Sequence, residues 1–107
     1  MVGEINYSAL FISQLDELAE VLYGEKYFNY IEDVDYYIDK IYDFIDKNIE
    51  YPIAKTSPEK FKKFGEKYLR YKANNQTSWY IFFDQKGNRF LVNHILNNHS
   101  QDIPELM

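Results

Sequence analysis

Arg70, Arg89, His94 and His99, with Tyr68 and Tyr71 beside them, are the side chains whose types and spacing could do chemistry, and all lie between Tyr68 and His99. Cleaving RNA through its 2'-hydroxyl needs a base to activate that oxygen, a cation to stabilise the phosphorane and an acid for the leaving oxygen. Imidazole, guanidinium and phenol supply those types on neighbouring predicted strands. The same residues also read as exposed strand charges, core or rim tyrosines and a hydrogen-bonded polar histidine, and both readings stay open here.

A metal pair is the other chemistry two histidines suggest. His94 and His99 are five positions apart near the end of a predicted strand, where alternation sends them to opposite faces and regular pairing keeps the imidazoles apart. The chain has no cysteine, which removes thiol nucleophiles, disulfides and the common structural zinc sites. No G-x-S-x-G, Gly-rich phosphate loop or H-E-x-x-H is present. The aspartates of the first half are predicted on helices rather than on a Gly-containing calcium loop, so no cofactor or metal is expected.

The elements that must position these side chains follow from the patterning. YLRYKANNQTSWYIFFDQKGNRFLVNHILNN holds three aromatic and β-branched runs, parted by Asn74-Asn75 and by Asp84 to Asn88. Alternating apolar runs bounded by Asn and Gly predict a three-stranded antiparallel meander, with strands at about Lys67 to Ala73, Thr77 to Asp84 and Arg89 to Asn97. Upstream, Val2 to Asn6 predicts a short edge strand. Ser8 is the expected N-cap of a helix carrying Phe11, Leu15, Leu18 and Leu22 on one stripe and closed by Gly24. Ile31, Val34, Ile38, Ile41 and Ile45 recur at three and four, which predicts a second helix from about Asn29 to Asn48. The short connection between the two predicts an antiparallel pair. Ser57-Pro58-Glu59 reads as an N-cap with Pro at the first helical position, predicting a short helix Pro58 to Phe64 ended by Gly65.

Helices followed by strands make this an α+β chain, with the antiparallel helix pair packed on one face of a C-terminal antiparallel meander. At 107 residues a single domain, 1–107, is expected. The formal charge of −5 opposes indiscriminate binding to phosphate backbones. It is unevenly spread, however. Carboxylates crowd Asp16 to Asp46, whereas Lys55, Lys60, Lys62, Lys63, Lys67, Arg70 and Lys72 face only Glu59 and Glu66, a local basic patch. No segment approaches the roughly 18 apolar residues of a membrane span, and Met1-Val2-Gly3-Glu4 opens no signal peptide, so the expectation is a cytoplasmic chain without membrane partners.

The strand, helix pair and meander order, with NYSALFISQLDELAEVL near the start and WYIFFDQKGNRFLVNHILNNHS near the end, resembles the RelE/ParE superfamily of type II toxin-antitoxin toxins. The Bacteroidetes branch of plasmid-stabilisation, ParE-like proteins is the nearest in pattern. The resemblance implies a compact toxin neutralised by a cognate antitoxin laid over the helix pair and sheet, with Phe11, Tyr23 or Tyr27 as contacts. It also implies a cellular target, DNA gyrase for ParE-like members and ribosome-bound mRNA for RelE-like endoribonucleases, which would use Arg70, Arg89, His94 and His99. Where the superfamily carries Arg in an R-V-L-H-G pattern, this chain has His94 in His94-Ile95-Leu96-Asn97-Asn98. The readings are thus a toxin that binds a protein target, an mRNA endoribonuclease, and a non-toxic binding module of the same fold. Sheet edges could pair with an antitoxin strand or with a second copy, so the sequence does not set the oligomeric state.

Overall fold

Ser8 starts the helical layer. Its Oγ accepts a 3.0 Å hydrogen bond from the Phe11 N–H, satisfying one of the orphan donors of a helix N-terminus, and donates at 3.1 Å to the Asn93 carbonyl. In the computed structural model, which describes residues 3–24, 31–50 and 53–98, the elements are β1 (Glu4–Tyr7), α1 (Ala9–Gly24), α2 (Ile31–Asn48), β2 (Lys55–Thr56), a 3₁₀ turn (Glu59–Phe61), β3 (Lys67–Lys72), β4 (Ser78–Lys86) and β5 (Arg89–Asn97). Tyr27 and His99 lie outside the described residues, as does the Tyr51-Pro52 step after α2.

One five-stranded sheet runs in the order β1-β5-β4-β3-β2, with β1 parallel to β5 and every other pair antiparallel. The meander is therefore β3-β4-β5. The N-terminal strand takes its edge through Glu4↔Arg89 to Tyr7↔Val92, and the two-residue β2, which the sequence did not reveal, takes the other. α1 and α2 cover one face. Phe11 and Leu15 from α1, and Ile41, Ile45 and the following Ile49 from the α2 side, pack on Leu69, Ile81, Phe83, Val92 and Ile95. Phe11 is fully buried, so it belongs to this core and is no contact for a partner. The helix stripe that looked available is spent on the sheet.

The opposite face carries a second, smaller core. Ser78 to Phe83 are buried at every position, so β4 does not alternate between core and solvent as expected. Trp79, Ile81 and Phe83 face the helices, while Tyr80 and Phe82 face a cluster with Phe61 and Tyr68, flanked by Phe64 and Leu96. Phe61 stacks on Phe82 at 5.8 Å between centroids, and Phe64 meets the same ring at 5.6 Å. A strand covered on both sides reads as a continuous apolar run, which is what WYIFF is.

The cover comes from the segment expected to be a helix over Pro58 to Phe64. It forms only a 3₁₀ turn at Glu59–Phe61, continued by N–H to C=O bonds three residues apart from Lys62 to Glu59, Phe64 to Phe61 and Gly65 to Lys62. Gly65 then passes so close to β4 that a Cβ there would stand 2.6 Å from the Phe83 nitrogen and 2.9 Å from its carbonyl oxygen.

Two connections set the register. At the β3-β4 turn Asn74 Oδ1 accepts from the N–H groups of Gln76 and Thr77 at 2.8 and 2.9 Å. The β4-β5 turn is tighter than Asp84 to Asn88, because Lys86 pairs with Arg89 and leaves only Gly87-Asn88, with Gly87 at φ 62°. Between Phe82↔His94 and Phe83↔Val92 the register slips, so Asn93 is an extra residue in β5.

Candidate functional site

That bulge places the most chemically distinctive side chain of the described residues. His94 follows Asn93 and joins the face of Tyr80 and Phe82, where its ring lies flat on Phe64 with centroids 4.0 Å apart and planes 4° from parallel. Its Nε2 is 3.5 Å from Gln14 Nε2, and its Nδ1 is buried with no hydrogen-bond partner among the described residues. Burial lowers the imidazole pKa below its ordinary value, and the Lys63 ammonium lowers it further. The ring is therefore neutral around pH 7. Ser8, Leu10, Lys63, Phe64, Asn93 and His94 line a cleft of about 310 Å³ beside it.

Gln14 ties the site to α1. Its amide oxygen accepts from the Ile95 N–H at 3.1 Å and its amide nitrogen donates to the Ile95 carbonyl at 3.2 Å, so the side chain occupies the backbone edge of β5 past the end of β1. Asp84 braces the bulge, accepting from Asn93 Nδ2 at 2.8 Å and from the Glu66 N–H at 2.9 Å.

The remaining residues with catalytic types are spread apart. Arg70 shares the face of His94 but sits on β3 opposite Tyr80, with its Nη2 at 3.4 Å from Ser78 Oγ. That puts it two strands from His94, about 10 Å across the sheet and ~7 Å along it. Arg89 stands at the far end of β5, roughly 16 Å from His94 along the strand, and pairs with Glu4 at 3.4 Å. Tyr68 is buried in the second core, where burial raises its pKa although Arg70 opposes the shift. Tyr71 lies on the other face against Phe44 at 4.9 Å, away from Arg70. Acid-base catalysis requires groups within about 3 Å of a shared substrate position, and the described geometry does not bring Arg70, Arg89 and His94 that close.

The surface is strongly polarised instead. On the helical layer Asp16, Glu17, Glu20, Asp33, Asp35, Asp39, Asp43, Asp46 and Glu50 face only Lys40 and Lys47 among the described residues. On the sheet side Lys60, Lys62, Lys63, Arg70, Lys72, Lys86 and Arg89 outnumber Glu4, Glu59, Glu66 and Asp84, with Lys62 paired to Glu59 and Arg89 to Glu4. Exposed apolar side chains sit mostly on the helices: Leu10, Ile12, Val21 and Tyr23 on α1 and Tyr36 on α2. Among the described residues no group of His, Asp or Glu is placed to hold a metal ion, and no helix is long and apolar enough to cross a membrane.

Sequence reasoning found His94 and missed what surrounds it. Gln14 carried no signal, since a polar residue on an amphipathic helix looks like solvent-facing surface. Phe61 and Phe64 did carry one, two aromatic rings three residues apart on a short segment.

Fold and site together define an α+β chain with a helix pair on one sheet face and an aromatic-histidine cluster on the other. No protein-family model, curated protein or solved structure matches it.

Proposed function

We propose that this chain is the toxin component of a type II toxin-antitoxin pair, neutralised by a cognate antitoxin and acting by binding a cellular protein, with DNA gyrase the target class its sequence resemblance suggests. The carrying observation is the element order. A short edge strand, a helix pair and a meander agree with what the resemblance implies, and Trp79 to Asn98, the more specific part of that resemblance, spans β4, the central strand, and its neighbour β5. A binding action fits the site better than catalysis, because His94 is wedged against Phe64 with its Nδ1 buried, while Arg70 stands two strands away and Arg89 at the far end of β5. Apolar side chains exposed on α1, Tyr23 among them, offer contact area to a partner.

Viable counts after inducing the chain alone, against co-induction of the adjacent open reading frame, test the proposal. Arrest relieved by the neighbour supports it, and growth indifferent to both removes it in favour of a non-toxic binding module.

The basic sheet face favours one second reading, an endoribonuclease that holds RNA along Lys63, Arg70 and Lys72. New RNA ends made by the purified chain with ribosomes, and lost in His94→Ala or Arg70→Ala, would support that reading. Intact transcripts would dismiss it.

A further inference from the structure

The hydrogen bonds around Gln14 favour one tautomer of His94. Ile95 donates to Gln14 Oε1 and accepts from Gln14 Nε2, which fixes the amide orientation through two backbone contacts. Gln14 Nε2 keeps a second hydrogen and stands 3.5 Å from His94 Nε2, a long contact in which the amide can only donate and the ring nitrogen accepts. That pairing assigns the neutral ring's proton to Nδ1, which is buried with no hydrogen-bond partner among the described residues.

We propose that His94 is a proton-operated latch. In its neutral form it accepts from Gln14 and holds the side-chain amide that closes the β5 edge at Ile95, and a proton on Nε2 removes that acceptor and frees the edge.

Each neighbour of the ring bears on the latch. From α1, Gln14 presents a donor, which a protonated Nε2 opposes with a second donor. From the segment before β3, Lys63 adds like charge while Phe64 stacks on the ring. From β4, Phe82 packs at 6.4 Å, and Asp84, across the bulge, is already engaged by Asn93 and Glu66. Tyr68 of β3 lies behind Phe82. Among these groups Asp84 alone is an anion, and it faces the bulge.

The consequence reaches the sheet edge. β1 covers β5 only as far as Val92, the Ser8 hydroxyl takes the Asn93 carbonyl, and Gln14 takes both backbone groups of Ile95. Releasing Gln14 exposes a donor and an acceptor in the geometry that an added extended strand uses. The fold would thus present an open edge in acid and a closed one at neutrality.

NMR on the full chain from pH 8 to 5 tests this. The expected result is an Nδ1–H tautomer for His94 at pH 7.5. Through the His94 transition, Ile95 amide exchange, corrected for its intrinsic pH dependence, should rise by roughly tenfold or more, equivalent to ~1.4 kcal/mol. His94→Phe keeps a ring on Phe64 and should make Ile95 exchange independent of pH. Gln14→Met should leave that amide fast at every pH. An Nε2–H tautomer at neutral pH overturns the proposal, as does an Ile95 amide still protected after His94 has titrated. A pH response that survives in His94→Phe also overturns it. Should either variant fail to fold, the wild-type comparison of the His94 and Ile95 transitions decides alone.

Discussion

Trp79 Nε1 donates a 2.9 Å hydrogen bond to Tyr37 Oη, joining the central strand β4 to helix α2. The indole is nearly buried and the phenol half-buried, with its pKa raised chiefly by that burial. Tyr37→Phe leaves a nearly buried N–H without this acceptor, at a cost of about 1–3 kcal/mol. Urea unfolding checks it, and a Trp79→Phe, Tyr37→Phe double-mutant cycle isolates the pair. Unchanged midpoints would mean that the bond contributes nothing.

Phe61→Ala should rank among the most damaging single changes. Phe61 is 1% exposed, it stacks on Phe82, and its loss opens a cavity under a short 3₁₀ turn, so a destabilisation of ~3–5 kcal/mol is expected. Thermal unfolding reads it directly. A loss below about 1 kcal/mol would mean that the second core does not support β4.

Gly65→Ala and Gly24→Ala should behave oppositely. A Cβ at Gly65 meets the Phe83 backbone at 2.6 Å, and backbone in a central strand yields little, so a cost of about 1–3 kcal/mol or more is expected. At Gly24, the last residue of α1, nothing among the described residues lies within 4 Å, and alanine should be neutral or stabilising by up to ~1 kcal/mol. Equal effects of the two substitutions would contradict this packing.

Stability should fall on both sides of neutrality. The His94 pKa is lower folded than unfolded, so protons bind the unfolded chain preferentially. Its contribution is intact above about pH 6.5 and is lost as pH falls from there through the folded value. The Tyr7 pKa is pushed up to about 12, first by burial and then by Asp46 and Tyr42, so its contribution is intact below about pH 10 and is lost as pH rises from there to the folded value. Unfolding midpoints in His94→Phe and Tyr7→Phe should each flatten one limb. An acid limb that persists in His94→Phe would assign the effect elsewhere.

If growth arrest comes from binding a protein, Arg70→Ala and Arg89→Ala should arrest cells as the parent chain does. Arg89 should also matter little for stability, since its pair with Glu4 has side chains 76% and 59% exposed and is worth roughly 0–1 kcal/mol. Loss of arrest in Arg70→Ala at unchanged expression would favour action on RNA.

The stripe from Ile31 to Ile45, the Ser8 cap and the aromatic runs from Tyr68 to Asn97 determined the helix pair, the three C-terminal strands and the α+β class, because periodicity and capping are local and survive in a single sequence. Tertiary structure decided what depends on contacts far apart along the chain. The pairing of β1 with β5 spans 85 residues from Glu4 to Arg89 and leaves no mark in either strand. The extra residue at Asn93 turns His94 onto the face of Phe64, and strict alternation counted from the sequence does not anticipate a bulge. Phe11 looked free for a partner because a helix stripe says that a face will be buried without saying against what; here the sheet takes it. Gln14 lies 81 residues from the Ile95 backbone that it closes, and only folding brings that polar side chain to an edge that needs one.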